Sequence, residues 1–67
     1  MKHWDKYRAE YINNPEIDSF ISDIIKVCKK HNKSIGHEDT NGAFVIEEYR
    51  ESNSEWLIDA NVDLRKK

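Results

Sequence analysis

The chain has few of the residues that staple, kink or hinge a small protein. Its 67 residues include one cysteine, Cys28, one proline, Pro15, and two glycines, Gly36 and Gly42. A lone cysteine closes no internal disulfide, which removes the secreted, cross-linked mini-protein as a class. Two isolated glycines write no phosphate-binding loop. No apolar run approaches the roughly 20 residues of a membrane-spanning helix. The opening "MKHWDKYRAEY" lacks the apolar stretch and cleavage pattern of a secretory signal. The expectation is a cytoplasmic chain with no membrane contact.

An excess of one charge is also missing. Lys and Arg number 11 and Asp and Glu 13, a formal net charge of −2. Non-specific nucleic-acid binding draws its affinity from phosphate neutralisation and so from a basic excess, which is absent overall. What is present is a chain 36% charged and 37% apolar. Its apolar residues cluster periodically, so it reads as one folded domain rather than a disordered one. A chain of this length buries only about 60% of its unfolded surface, which leaves a small core.

Four segments follow from the patterning. Trp4, Tyr7 and Tyr11 recur at spacings of three and four, which predicts a first helix over about 3–12. Asn14, Pro15 and Glu16 form an N-cap, a first-turn proline and a first-turn acid, opening a second helix over about 15–31. Its inner face would carry Ile17, Phe20, Ile21, Ile24, Val27, Cys28 and His31, with Ile25 widening the stripe and Asn32 as C-terminal cap. "SIGHE", "DTNG" and "AFVIEEY" predict a β-hairpin with strands about 34–38 and 43–49, one apolar face of which, Phe44 and Ile46 or Ala43, Val45 and Tyr49, lies on that helix. Ser52 and Glu55 match a capping box, predicting a last helix over about 53–64 with Trp56, Leu57, Ala60 and Leu64 inward. The fold class expected is α+β in the order ααββα: two N-terminal helices, a β-hairpin and a C-terminal helix packed as one small layer pair.

No catalytic constellation can be assembled, and no enzyme is expected. His37 and Glu38 are successive on a strand and point to opposite faces, while Asp39 stands where turn chemistry already calls for an aspartate. These three are read as the polar end of a hairpin. Cys28 and His31 have a workable metal-ligand spacing, and His37 with Asp39 or His3 would complete a set. Cys28 nevertheless sits in an apolar stripe and behaves there as a small hydrophobe, so neither metal nor cofactor is expected.

Three surface sets remain. Trp4, Tyr7 and Tyr11 are candidate aromatic anchors for a protein partner, with the acids Glu47 and Glu51 steering encounter. Lys26, Lys29, Lys30 and Lys33 form the alternative, a nucleic-acid face. A homodimer would supply the buried area that so short a chain lacks.

"GHEDTNGAFVIEEY" followed by "SEWLIDA" resembles small uncharacterised proteins of phages and prophages of Gram-positive bacteria. They share a His-Glu-Asp turn, a Gly-Ala-Phe strand and a Trp-Leu pair, here His37, Glu38, Asp39, Gly42, Phe44, Trp56 and Leu57. The resemblance covers about residues 12 to 60. It implies a phage setting and carries no catalytic residue. The function expected is a phage-encoded interaction protein binding a host or phage protein.

Overall fold

The computed structural model of the chain describes residues 1–38 and 42–65. Strand β1 (Lys2–Asp5) pairs antiparallel with β2 (Glu10–Asn13). Helix α1 (Pro15–His31) follows, then β3 (Lys33–Glu38) paired antiparallel with β4 (Ala43–Glu48), then helix α2 (Glu51–Ile58). The order is ββαββα, with two separate two-stranded sheets. The class is α+β, but the expected pair of N-terminal helices is overturned. No helix among the described residues is long and apolar enough to cross a membrane.

The expected first helix is replaced by a hairpin, and its three aromatics fall on two strands and a turn rather than on one helix face. Trp4 lies opposite Tyr11 across the ladder, their rings 5.2 Å apart and edge to face, while Tyr7 sits in the turn. The turn is built by Asp5. Its Oδ1 accepts the backbone N–H groups of Tyr7 (2.8 Å) and Arg8 (3.0 Å), and its carbonyl accepts that of Ala9 (2.8 Å). An aspartate bonded to the backbone two and three residues on offers the chain an alternative to helix. The reversal closes with Ala9 in the left-handed region, φ 55°.

Helix α1 begins as its sequence predicts. Asn14 Oδ1 accepts the N–H groups of Glu16 (3.0 Å) and Ile17 (3.2 Å), and Asn32 ends the helix at φ 52°. Its inner stripe is narrower than expected. Ile21 and Cys28 are buried and Ile17, Ile24 and Ile25 half-buried, whereas Phe20, Val27 and His31 are exposed.

The last helix stops at Ile58 and does not reach residue 64. Its N-cap is Arg50, which makes no side-chain cap bond, and Ser52 lies inside the first turn, so the expected capping box does not form. Trp56 and Leu64 are exposed rather than inward. Beyond the helix the chain turns back to β1. Val62 N–H donates to the Trp4 carbonyl and the Val62 carbonyl accepts from Lys6 N–H, both at 2.8 Å, forming an isolated parallel bridge to Asp5. Two backbone bonds and burial of the Val62 side chain replace two further turns of helix.

The interior is unusually polar. Among the described residues the buried apolar ones are Ile21, Cys28 and Val62, against five buried polar ones: His3, Asp5, Ser34, Asn53 and Ser54. No buried side-chain nitrogen or oxygen among the described residues lacks a partner, the condition under which polar burial is tolerated. His3, 1% exposed, joins β1 to α1 and to the returning chain: Nδ1 lies 3.2 Å from the Ala60 carbonyl and Nε2 3.1 Å from Asp18 Oδ1. Both partners are acceptors, and the tautomer sets which ring nitrogen donates.

Candidate functional site

The register of the second hairpin decides which side chains share a face. The pairs Lys33–Glu48, Ile35–Ile46 and His37–Phe44 alternate with Ser34–Glu47, Gly36–Val45 and Glu38–Ala43. Successive strand residues point to opposite sides, so these are two distinct faces.

The second set supplies the inner face, and α2 covers it. Asn53 Nδ2 donates to Ser34 Oγ (2.8 Å) and Glu47 Oε2 (3.1 Å). Ser34 Oγ also accepts from Arg50 N–H (3.3 Å) and donates to the Glu48 carbonyl (3.2 Å). Gly36 makes room for this network: a Cβ there would stand 2.5 Å from Glu47 Oε2 and 3.2 Å from Val45 Cγ2. The hairpin is thus held to the body of the protein by hydrogen bonds.

The apolar set faces away. Phe44 is 77% and Ile46 70% exposed, and Ile35 is exposed beside them. The expectation that Phe44 and Ile46, or the face opposite, would lay an apolar surface on the long helix is overturned. The side turned inward carries serine, glycine and glutamate, and its bonds to Asn53 hold that side toward α2. Cross-strand pairs order the outer face from end to end. Lys33 Nζ and Glu48 Oε1 form an ion pair of 3.0 Å, Ile35 and Ile46 stand side by side, and the rings of His37 and Phe44 meet edge to face at 6.0 Å. Val27 and His31, on the last turns of α1, border the same face. With Cys28, Ile35 and Ile46 they line an open groove of about 360 Å³.

The remaining candidates are distributed elsewhere. Trp4 and Tyr11 are together on the first hairpin. Tyr7 lies in its turn with the Arg65 guanidinium 5.8 Å over the ring. Arg65 is held by a bidentate bond to Asp63 (2.7 and 2.9 Å), which draws the Asp63 carboxyl below its usual range and raises the guanidinium. The open concavity of about 520 Å³ beside Tyr7, Arg8 and Arg65 therefore presents guanidiniums already answered by Asp63 and, at 4.0 Å, Asp5.

Glu47 and Glu51 do not join those aromatics. They belong to the second hairpin and α2, where Glu47 is bound by Asn53 and Arg50 and Glu51 accepts from the Tyr49 hydroxyl (3.1 Å). Lys26, Lys29 and Lys30 are exposed along α1, while Lys33 is engaged with Glu48 on the outer face. His37 packs on Phe44 and Glu38 pairs in register with Ala43; Asp39 lies outside the described residues. Cys28 and His31 share the groove, but among the described residues no three His, Cys, Asp or Glu side chains gather as a metal site.

Sequence reasoning missed the exposed aliphatic face and the buried His3. The strand alternation "KSIGHE" contained the first signal, since it places Ile35 opposite to Ser34 and Gly36. The Asp18 partner of His3 lies 15 residues away and left no local trace. Comparison with family models, with curated proteins and with solved structures returns no match.

Proposed function

We propose that this chain is a small, non-catalytic interaction protein that holds a protein partner on the outer face of β3–β4. The observation that carries the reading is the exposure of Ile35, Phe44 and Ile46 on one strand face, with Val27 beside Ile35 and Ile46 in the groove. Monomeric proteins rarely leave such a patch open, and where they do it is usually a contact surface. The resemblance of the hairpin and of the Trp56–Leu57 pair to phage proteins supports a phage-encoded setting, with a host or phage protein as the partner. A photo-crosslinking residue placed at position 44 tests this. It should yield a protein adduct in cells, while the same residue at exposed Tyr11 yields none; equal adducts from both sites would reject the face.

A second reading rests on Lys26, Lys29 and Lys30, exposed on α1 with no ion-pair partner among the described residues. It makes the chain a nucleic-acid accessory protein. Micromolar affinity for single- or double-stranded DNA, falling steeply with salt, would favour it over the first.

A further inference from the structure

The outer face of β3–β4 has an internal order that restricts what can cover it. Along the strands it presents a charge pair of opposite sign, an aliphatic pair and an aromatic pair, each made of one residue from β3 and one from β4. A 180° rotation about an axis parallel to the strands, lying between two stacked hairpins, exchanges the β3 and β4 sides and leaves position along the strand unchanged. Under that operation Lys33 of one copy faces Glu48 of the other, and Glu48 faces Lys33. Ile35 meets Ile46, and His37 meets Phe44. The surface is complementary to itself in charge and in shape class, the condition for an isologous two-fold interface.

We propose that two copies of the chain pack these faces together, forming a two-sheet sandwich whose interior neither copy supplies alone. This rests on the preceding reading that the face is a docking surface, and names the occupant. Packed sheets stand about 10 Å apart, which the paired side chains fill from both sides.

The area is adequate. Phe44, Ile46, Ile35 and Val27 together expose on the order of 400 Å² if each side chain carries about 150–200 Å². The stems of Lys33, Glu48, His31 and His37 bring the footprint toward the roughly 800 Å² per partner of a standard interface. That is a modest part of the 5519 Å² surface of one copy. A chain whose buried apolar residues are Ile21, Cys28 and Val62 also gains more from such burial than a larger protein would.

Sedimentation of the full chain from micromolar to half-millimolar concentration, with three variants, tests the pairing. The wild type should move from 8.0 kDa toward twice that mass. Phe44→Asp should remain monomeric with an unchanged circular dichroism spectrum. Lys33→Glu and Glu48→Lys each set like charges opposite one another and should weaken self-association by about tenfold. Mixed in equal amounts they should recover it as a heterodimer, because each then meets its opposite. A wild type that stays at 8.0 kDa overturns the pairing and leaves the face to a different protein. Self-association that Phe44→Asp does not disturb, or that the mixed charge variants do not restore, overturns it by placing the contact elsewhere. If Phe44→Asp unfolds a monomer, the face is not open at all and the docking reading fails with it.

Discussion

The imidazole of His3 and the carboxylate of Asp18 lie 3.1 Å apart, the ring wholly buried and the acid part-exposed. The pair is the junction between the first strand and the long helix. The hydrogen bond from His3 is the main influence holding the Asp18 carboxyl below its ordinary range; partial burial opposes it, and the N-terminal ammonium, 3.3 Å from Oδ2, adds to the lowering. A carboxyl depressed in the folded state binds protons more readily when unfolded. Its stabilisation is therefore present above the unfolded pKa of about 3.9 and is lost as pH falls through the lower folded value. Urea denaturation at stepped pH should show wild-type stability falling through this acid window, and Asp18→Asn should show a shallower fall. Equal slopes would mean that the pair is not formed in solution.

Replacing the ring itself should be costlier. His3→Ala opens a cavity and leaves the Ala60 carbonyl without its side-chain partner, a loss of about 2–4 kcal/mol by analogy with other buried truncations. Chemical denaturation measures it. A loss below about 0.5 kcal/mol, the scale of a surface substitution, would contradict the burial of His3.

Ala9 closes the first hairpin with a positive φ of 55°. A Cβ is unfavourable in this region and glycine is not. Ala9→Gly should stabilise the protein by about 0.5–1 kcal/mol, offset in part by the added freedom of the unfolded chain. Thermal unfolding reads the sign, and a lowered midpoint would argue against the turn.

Gly36 is confined by the network beneath it rather than by its own backbone. A Cβ at this position displaces the Glu47 carboxylate from Asn53, so Gly36→Ala should destabilise by about 1–2 kcal/mol, the scale of a broken buried hydrogen bond. In a Glu47→Ala background the same change should cost less, giving a coupling on the order of 1 kcal/mol between the two sites. Additive effects would show that Glu47 does not occupy that space.

Cys28 is buried and unpaired. Its reaction with a thiol reagent should be slower in native protein than in urea-unfolded chain, since reaction needs an accessible thiolate. Equal rates would place the thiol at the surface.

Helix α1 was legible because its signals are local: Asn14 and Pro15 start it, and Asn32 ends it. The second hairpin was legible through β-forming residues on either side of its turn, with Gly42 at φ 65°. The faces were not. Sequence reading assumes that apolar residues turn inward, and both hairpins break that rule. In "KHWD" the buried positions are His3 and Asp5, with Trp4 outward; in "KSIGHE" they are Ser34 and Gly36, with Ile35 outward. Trp4, Tyr7 and Tyr11 fit helical spacing, but three residues at that spacing do not oblige a helix. Asp5 selects the hairpin, through a turn that competes with the helix. At the other end, Leu57, Ala60 and Leu64 continued a helical pattern that backbone bonds from Trp4 and Lys6 to Val62 cut short. The candidate face was hidden for the same reason: its residues looked like core.

The Val62 bridge also governs timing. Strand β1 finds its second neighbour 57 positions later, so its completion depends on a contact distant along the chain. During synthesis the helix and the second hairpin can form from nearby residues, while His3 and Trp4 wait for the ribosome to release residues 60–62. A nascent chain arrested before residue 62 would carry an unfinished flank.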